Sequence, residues 1–243
     1  LIGSKQFDVT SDLALGDLLV WRQDGNSPFY VAERVGLNGV LFRMVKLRSM
    51  VLNADQTGVD STSMTDHRIT PLGHFIRRYK LDELTQLWNV LMGDMSLVGP
   101  RPNLERETDL YSPLERSLLK VKPGITDFAS IVFSDEGEIL KDKEDPDLAY
   151  HQLIRPGKSK LGLFYIDKNC FFLDLKLIMI TIVALFSKKN ALKHLTKVMK
   201  KLGASKDLLQ IASRSEKLSP SPPPGGELVI KFRDKVLKKK KKL

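Results

Sequence analysis

Asp82 and Glu83 are adjacent carboxylates, with Arg77 and Arg78 shortly before them and Arg101 after them. A carboxylate can attack phosphorus to form an acyl phosphate, while its neighbour holds a divalent cation that neutralises the phosphate oxygens. Arginines add charge-assisted hydrogen bonds to the same oxygens. Such a set could act on a metal-bound diphosphate, and phosphoryl transfer of that kind needs neither histidine nor cysteine. The plain alternative is a pair of acids capping a helix, with arginines on a solvated face. Taken alone, the pair favours that alternative.

The elements that must position these groups can be read from the chain. Thr70 is an N-cap and Pro71 a first helical residue, followed by Leu72, Phe75, Ile76 and Tyr79 at helical spacing. A second helical run places Leu84, Leu87, Trp88 and Leu91 on one face and stops at Gly93. Asp82 and Glu83 therefore fall at a junction between helices. Gly99-Pro100-Arg101-Pro102 cannot be regular helix, so it reads as a stiff loop presenting Arg101. Upstream, Pro28–Val31 and Val40–Arg48 flank Gly36-Leu37-Asn38-Gly39 and predict a small hairpin, preceded by a turn at Asp24-Gly25-Asn26. Asn53–Asp66 is a polar surface loop.

Composition bounds the rest. The chain has 243 residues, 42% of them hydrophobic, which excludes a wholly disordered protein. Seventeen Lys and Arg against four Asp and Glu lie from Ser187 onward, a net of +13, which leaves −3 for the preceding residues. The overall +10 thus belongs to the tail and favours an anionic partner. One cysteine, Cys170, cannot form an intrachain disulfide, and His67, His74, His151 and His194 have no paired-ligand spacing for zinc. No apolar run reaches the roughly 18 residues of a spanning helix. Leu177–Phe186, with only Thr181 polar, suits a buried or interfacial helix. Beyond it, Lys188–Leu202 has a basic amphipathic pattern, Ser219–Gly226 is a Pro/Gly-rich linker, and Lys238–Lys242 ends the chain.

Several ordered motifs carry a resemblance. Arg68-Ile69-Thr70-Pro71-Leu72-Gly73, Leu81-Asp82-Glu83-Leu84-Thr85-Gln86-Leu87-Trp88-Asn89-Val90 and Gly93-Asp94-Met95-Ser96-Leu97-Val98-Gly99-Pro100-Arg101-Pro102 resemble the signature of the bacterial sugar transferases that are monotopic phosphoglycosyl transferases. Arg34–Gly39, Lys46–Met50 and Lys122–Thr126 resemble motifs on either side of it. The resemblance covers roughly residues 13–186. It implies transfer of a sugar 1-phosphate from a UDP-sugar to a polyprenyl phosphate such as undecaprenyl phosphate, with release of UMP. By motif position Asp82 would be the nucleophile that forms a covalent phosphosugar intermediate, and Glu83, with Asp82, would hold Mg²⁺. Arg77, Arg101, Lys46 and Arg48 match basic positions expected to bind phosphate. The implied setting is the cytoplasmic face of a bacterial inner membrane, at the start of polysaccharide or glycoconjugate synthesis.

The expected fold is α+β: a compact, mainly helical catalytic domain over residues 1–190, with a small β-hairpin and membrane-associated, followed by a basic tail at 191–243. No Gly-rich strand-to-helix fingerprint of a Rossmann enzyme is present. Two departures stand out. Leu1–Asp12 is polar where the resemblance leads one to expect an apolar re-entrant helix, so that helix is expected to be missing or degenerate. Thr85 stands where such proteins usually carry proline, which should alter local geometry without removing chemistry. A second reading is a non-catalytic basic protein of membrane surfaces or nucleic acids, and a third is an inactive fragment of the transferase. Nucleic acid is the minor partner, because no aromatic–basic stacking pattern accompanies the tail. A homo-oligomer stays open, as does the identity of the sugar.

Overall fold

The computed structural model describes residues 19–231. The polar N-terminal stretch, the beginning of the apolar run from Leu13 and the Lys238–Lys242 run lie outside the described residues.

The predicted hairpin forms. Strands β1 (Phe29–Val35) and β2 (Leu41–Leu47) pair antiparallel, from Phe29 opposite Leu47 to Val35 opposite Leu41. Asn38 and Gly39 take the left-handed conformations (φ 55° and 82°) that close the connection, which these two residue types tolerate best. The polar loop that follows is ordered around one side chain. Arg68, 6% exposed, donates to the carbonyls of Ala54 and Val59 and to Thr57 Oγ1, and pairs with Asp66.

Helix α1 (Pro71–Arg78) begins as its sequence requires, with Thr70 Oγ1 accepting from the Gly73 N–H at 2.9 Å. Its buried Ile76 packs with Val20 and Leu47 in a small core beneath the hairpin. A 3₁₀ turn (Leu81–Glu83) then leads to helix α2 (Gln86–Leu91). Strands β3 (Ser96–Val98) and β4 (Gly124–Thr126) pair in parallel, Ser96 with Gly124 and Val98 with Thr126. Gly124 is required there: a Cβ would lie 2.1 Å from the Gly99 nitrogen, so the backbones approach only without it.

The main core is helical. Helices α3 (Phe128–Val132), α4 (Arg155–Lys168) and α5 (Phe171–Phe186) surround β3 and β4, and Phe128, Ile131, Leu161 and Leu177 are fully enclosed. Helix α6 (Lys188–Lys201) and helix α7 (Lys206–Ser213) complete it through Ala191, Leu195, Met199 and Ala212. Residues 191–213, assigned from sequence to the basic tail, are thus packed into the same core, and the 190/191 division does not coincide with a break in packing. The apolar stripe of α6 faces inward, while Lys189, Lys193, Lys197 and Lys200 face out. The Pro-rich segment also lies on the body: Ser221 N–H donates to the Gln152 carbonyl, and Ser112 Oγ to the Pro224 carbonyl. The α+β reading, mainly helical with a small hairpin, therefore holds. A second small sheet joins it.

Two apolar surfaces face outward. On α5 the inner stripe is Leu173, Leu177 and Ile180, whereas Phe171, Phe172, Met179 and Phe186 are each more than 60% exposed. Helix α2 is inverted relative to an ordinary surface helix. Its polar residues Gln86 and Asn89 are 1% and 2% exposed, while Leu84, Leu87, Trp88 and Leu91 point away from the protein. Leu97 of β3 is exposed as well, and β3 contacts both helices. Among the described residues no helix is long and apolar enough to cross a membrane.

Candidate active site

The inversion of α2 holds the dyad in place. Asn89 accepts from the Val45 N–H at 3.0 Å and donates to the Arg43 carbonyl at 2.8 Å, so a helix side chain completes the edge of β2. Thr85 Oγ1 reaches the Val45 carbonyl at 3.0 Å and the Asp82 carbonyl at 3.2 Å, close enough to donate to either. The threonine that departs from the usual proline therefore ties the dyad turn to the hairpin. Lys80, at φ 58°, reverses the chain after α1 and delivers Leu81–Glu83 into the interior.

Asp82 and Glu83 are both buried, at 6% and 9% exposure. Glu83 Oε1 accepts from Arg101 Nη2 at 2.7 Å, and Lys80 Nζ lies 3.7 Å away. Burial pushes the Glu83 carboxyl up, but Arg101, Lys80 and Lys46 outweigh it and hold the group well below the usual carboxylate range. Glu83 in turn raises the already high pKa of Arg101. Lys46 Nζ lies 3.9 Å from Asp82 Oδ2. Burial, with Arg101 alongside, lowers the Lys46 ammonium to about 8.

The sequence-derived set is thus brought together in part. Asp82, Glu83, Lys46 and Arg101 converge, and Arg77, in the last turn of α1, adds its field at Lys46. Arg48 is committed elsewhere: its guanidinium grips both Asp24 carboxylate oxygens at 2.6 and 2.7 Å and the Ser27 carbonyl at 2.8 Å, staying 6% exposed. That fork is a structural clasp on the turn before β1. Lys80, which sequence reasoning passed over, joins the site. Its signal was its place between Arg77-Arg78 and Asp82-Glu83.

One polar atom of the dyad is unaccounted for. Asp82 Oδ1 is buried without a hydrogen-bond partner, which leaves it open to accept from a ligand, an ion or a water. A magnesium ion takes oxygen ligands, typically one or two carboxylates completed by phosphate and water. Asp82 and Glu83 fit that demand. Among the described residues no group of three or more His, Cys, Asp or Glu that could hold a metal ion is present.

Residues 10–188 match the family described as bacterial sugar transferase. The chain belongs to that family. Among similar sugar transferases, the UDP-galactose-lipid carrier transferase of Erwinia amylovora is 43% identical over 119 residues, covering 43% of this chain and 25% of that protein. The uncharacterized sugar transferase EpsL of Bacillus subtilis (strain 168) is 37% identical over 174 residues, 71% of this chain and 77% of EpsL. The undecaprenyl-phosphate glucose phosphotransferase of Komagataeibacter xylinus is 35% identical over 208 residues, 79% of this chain and 37% of its own length. The chain therefore spans about a quarter to three quarters of the relatives it matches. The dyad, Lys46 and Arg101 all fall within the sugar transferase match, whereas nearly all of α6 and the whole of α7 lie beyond it.

Proposed function

We propose that this sugar transferase moves a sugar 1-phosphate from a UDP-sugar to undecaprenyl phosphate and releases UMP. The observation that carries the reading is the buried, unpartnered Asp82 Oδ1 beside a Glu83 held anionic by Arg101. In the first step an Asp82 carboxylate oxygen attacks the phosphorus that bears the sugar. The bond to the UMP oxygen breaks, and UMP leaves with that oxygen. In the second step the polyprenyl phosphate oxygen attacks the same phosphorus and displaces Asp82, which regains its carboxylate. Asp82 and Glu83 would hold Mg²⁺, which supplies charge neutralisation at the phosphate oxygens. Arg101, Lys46 and Arg77 neutralise charge on the rest of the diphosphate. UMP release should require Mg²⁺, a UDP-sugar and the intact dyad. Assay against UDP-galactose and UDP-glucose, with undecaprenyl phosphate in nanodiscs, tests this, and silence from a broad panel of UDP-sugars would refute it.

Lys46 gives the reaction a basic limb. Its ammonium is charged below about pH 8 and loses its proton above it, so donor affinity should fall with rising pH. In a kcat/KM profile, which reports the free enzyme, the alkaline fall should begin near pH 8. Lys46→Arg, whose guanidinium does not titrate in this range, should flatten it. An unchanged limb in that variant would assign the titration to another group.

The outward apolar residues of α2, β3 and α5 are read as the seat on the cytoplasmic leaflet of the inner membrane. A 16-residue helix is roughly 24 Å long, enough to lie along an interface, and Lys176, one turn from Phe172 and Met179, has the long stem that snorkels to headgroups. The lipid phosphate would then approach the dyad from the side where α2 meets the bilayer. Changing Leu91, Phe172 and Met179 together to serine removes only side chains that are more than 60% exposed. At ~1.5 kcal/mol or more for each large side chain, vesicle affinity should drop by on the order of 10³-fold while the melting temperature holds. Equal cosedimentation with phosphatidylglycerol vesicles would sink this seat.

A further inference from the structure

A second ion pair lies beside Arg101, outside every motif that marked the site in the sequence. Glu136 opens a single helical turn (Glu136–Ile139) and pairs with Lys158 from the first turn of α4. Lys158 sits 5.2 Å above the Tyr150 ring, which fixes its direction, and it lines one cavity together with Arg101 and Tyr150. Arg101 is the hinge of the arrangement. It bonds Glu83 on one side and lies within electrostatic reach of Glu136 on the other, and Lys80 acts on both carboxylates. Burial pushes the Glu136 carboxyl up, but Lys158 and Arg101 prevail and keep it anionic.

Cations gathered in a partly buried cleft need an anion, or they repel one another and lose their hydration without compensation. Glu136 supplies one from the protein itself. A substrate diphosphate supplies a stronger one, with more acceptor oxygens and more charge.

Resting on the transferase reading above, we propose that Lys158 is a further donor-binding residue that contacts the diphosphate of the nucleotide sugar, and that Glu136 is the internal anion holding Lys158 in place until the donor displaces it. The role is binding and positioning. No bond is made or broken at either residue.

The test is calorimetric binding of UDP and of UMP, each with Mg²⁺, to the full chain in nanodiscs. This readout needs no turnover, so a failure of the transferase reading leaves it interpretable. Lys158→Met should weaken UDP about tenfold and UMP little, and Lys158→Arg should restore UDP binding. Glu136→Gln should tighten UDP severalfold and UMP by less, and so widen the ratio between the two ligands, a change that mere loosening of the fold would not produce. Each variant is checked by its melting temperature. Wild-type UDP affinity in a folded Lys158→Met protein, or an unchanged UDP-to-UMP ratio in Glu136→Gln, would overturn the proposal.

Discussion

Asp82→Asn should reduce UMP release by on the order of 10⁴-fold or more, because it exchanges a carboxylate nucleophile for an amide of the same shape. The structural side of the change is small. Asp82 Oδ1 has no partner to lose, and Oδ2 meets only Lys46 at 3.9 Å, so the variant should melt close to the wild type. Activity and stability therefore separate cleanly at this position. A covalent route makes a second demand. Wild-type protein given UDP-sugar and Mg²⁺ without lipid phosphate should carry a sugar phosphate on the peptide containing Asp82, and the asparagine variant should carry none. Asparagine activity above about one per cent of wild type, or the absence of any adduct despite rapid turnover, would favour direct transfer between donor and lipid.

Much of this site could be read from local sequence because its chemistry is local. Asp82 and Glu83 are adjacent, their junction follows from the Thr70-Pro71 helix start and the second helical run, and Pro100 and Pro102 stiffen the Arg101 loop. The hairpin was equally legible, since Asn38-Gly39 punctuates two extended runs. Periodicity, however, says which residues share a face and not which face turns inward. Leu84, Leu87, Trp88 and Leu91 do share one, and it points out, because Asn89 is needed inside to serve the edge of β2, and Gln86, one turn before it, is buried with it. The basic pattern of α6 hid its contribution to the core for a related reason: the lysines dominate the composition, while Ala191, Leu195 and Met199 decide the packing. Lys46 and Arg48 lie two residues apart in one motif, yet only Lys46 meets the dyad, since Asp24 captures Arg48. Glu136 and Lys158 reach the site from 53 and 75 residues beyond Glu83, a separation that no spacing rule connects.

Arg101 carries two burdens, and substitution can separate them. Its Nη2 neutralises Glu83, which is 9% exposed, and its remaining guanidinium N–H groups stay available to a phosphate. Arg101→Met removes both functions. Glu83 then keeps Lys80 and Lys46 but loses its shortest charge-assisted bond. Removing one partner of a buried pair costs ~3–5 kcal/mol; Arg101 is partly exposed, so roughly 2 kcal/mol is the sounder figure here. The sign with pH follows from the depressed Glu83 pKa. Its stabilisation is present above the unfolded value near 4.3 and is lost as pH falls through the lower folded value. With Arg101 gone the folded value rises, so the melting temperature of Arg101→Met should trail the wild type at pH 7 and converge on it in acid. Transfer should drop by roughly 10²–10³-fold, the scale for losing one preorganised charge at a reacting group. Arg101→Lys divides the effects: an ammonium can satisfy the single bond to Glu83 and recover most of the stability, but it lacks the planar fork that also grips phosphate, so activity should stay low. Recovery of activity together with stability would make Arg101 a support for Glu83 and remove it from the phosphate site.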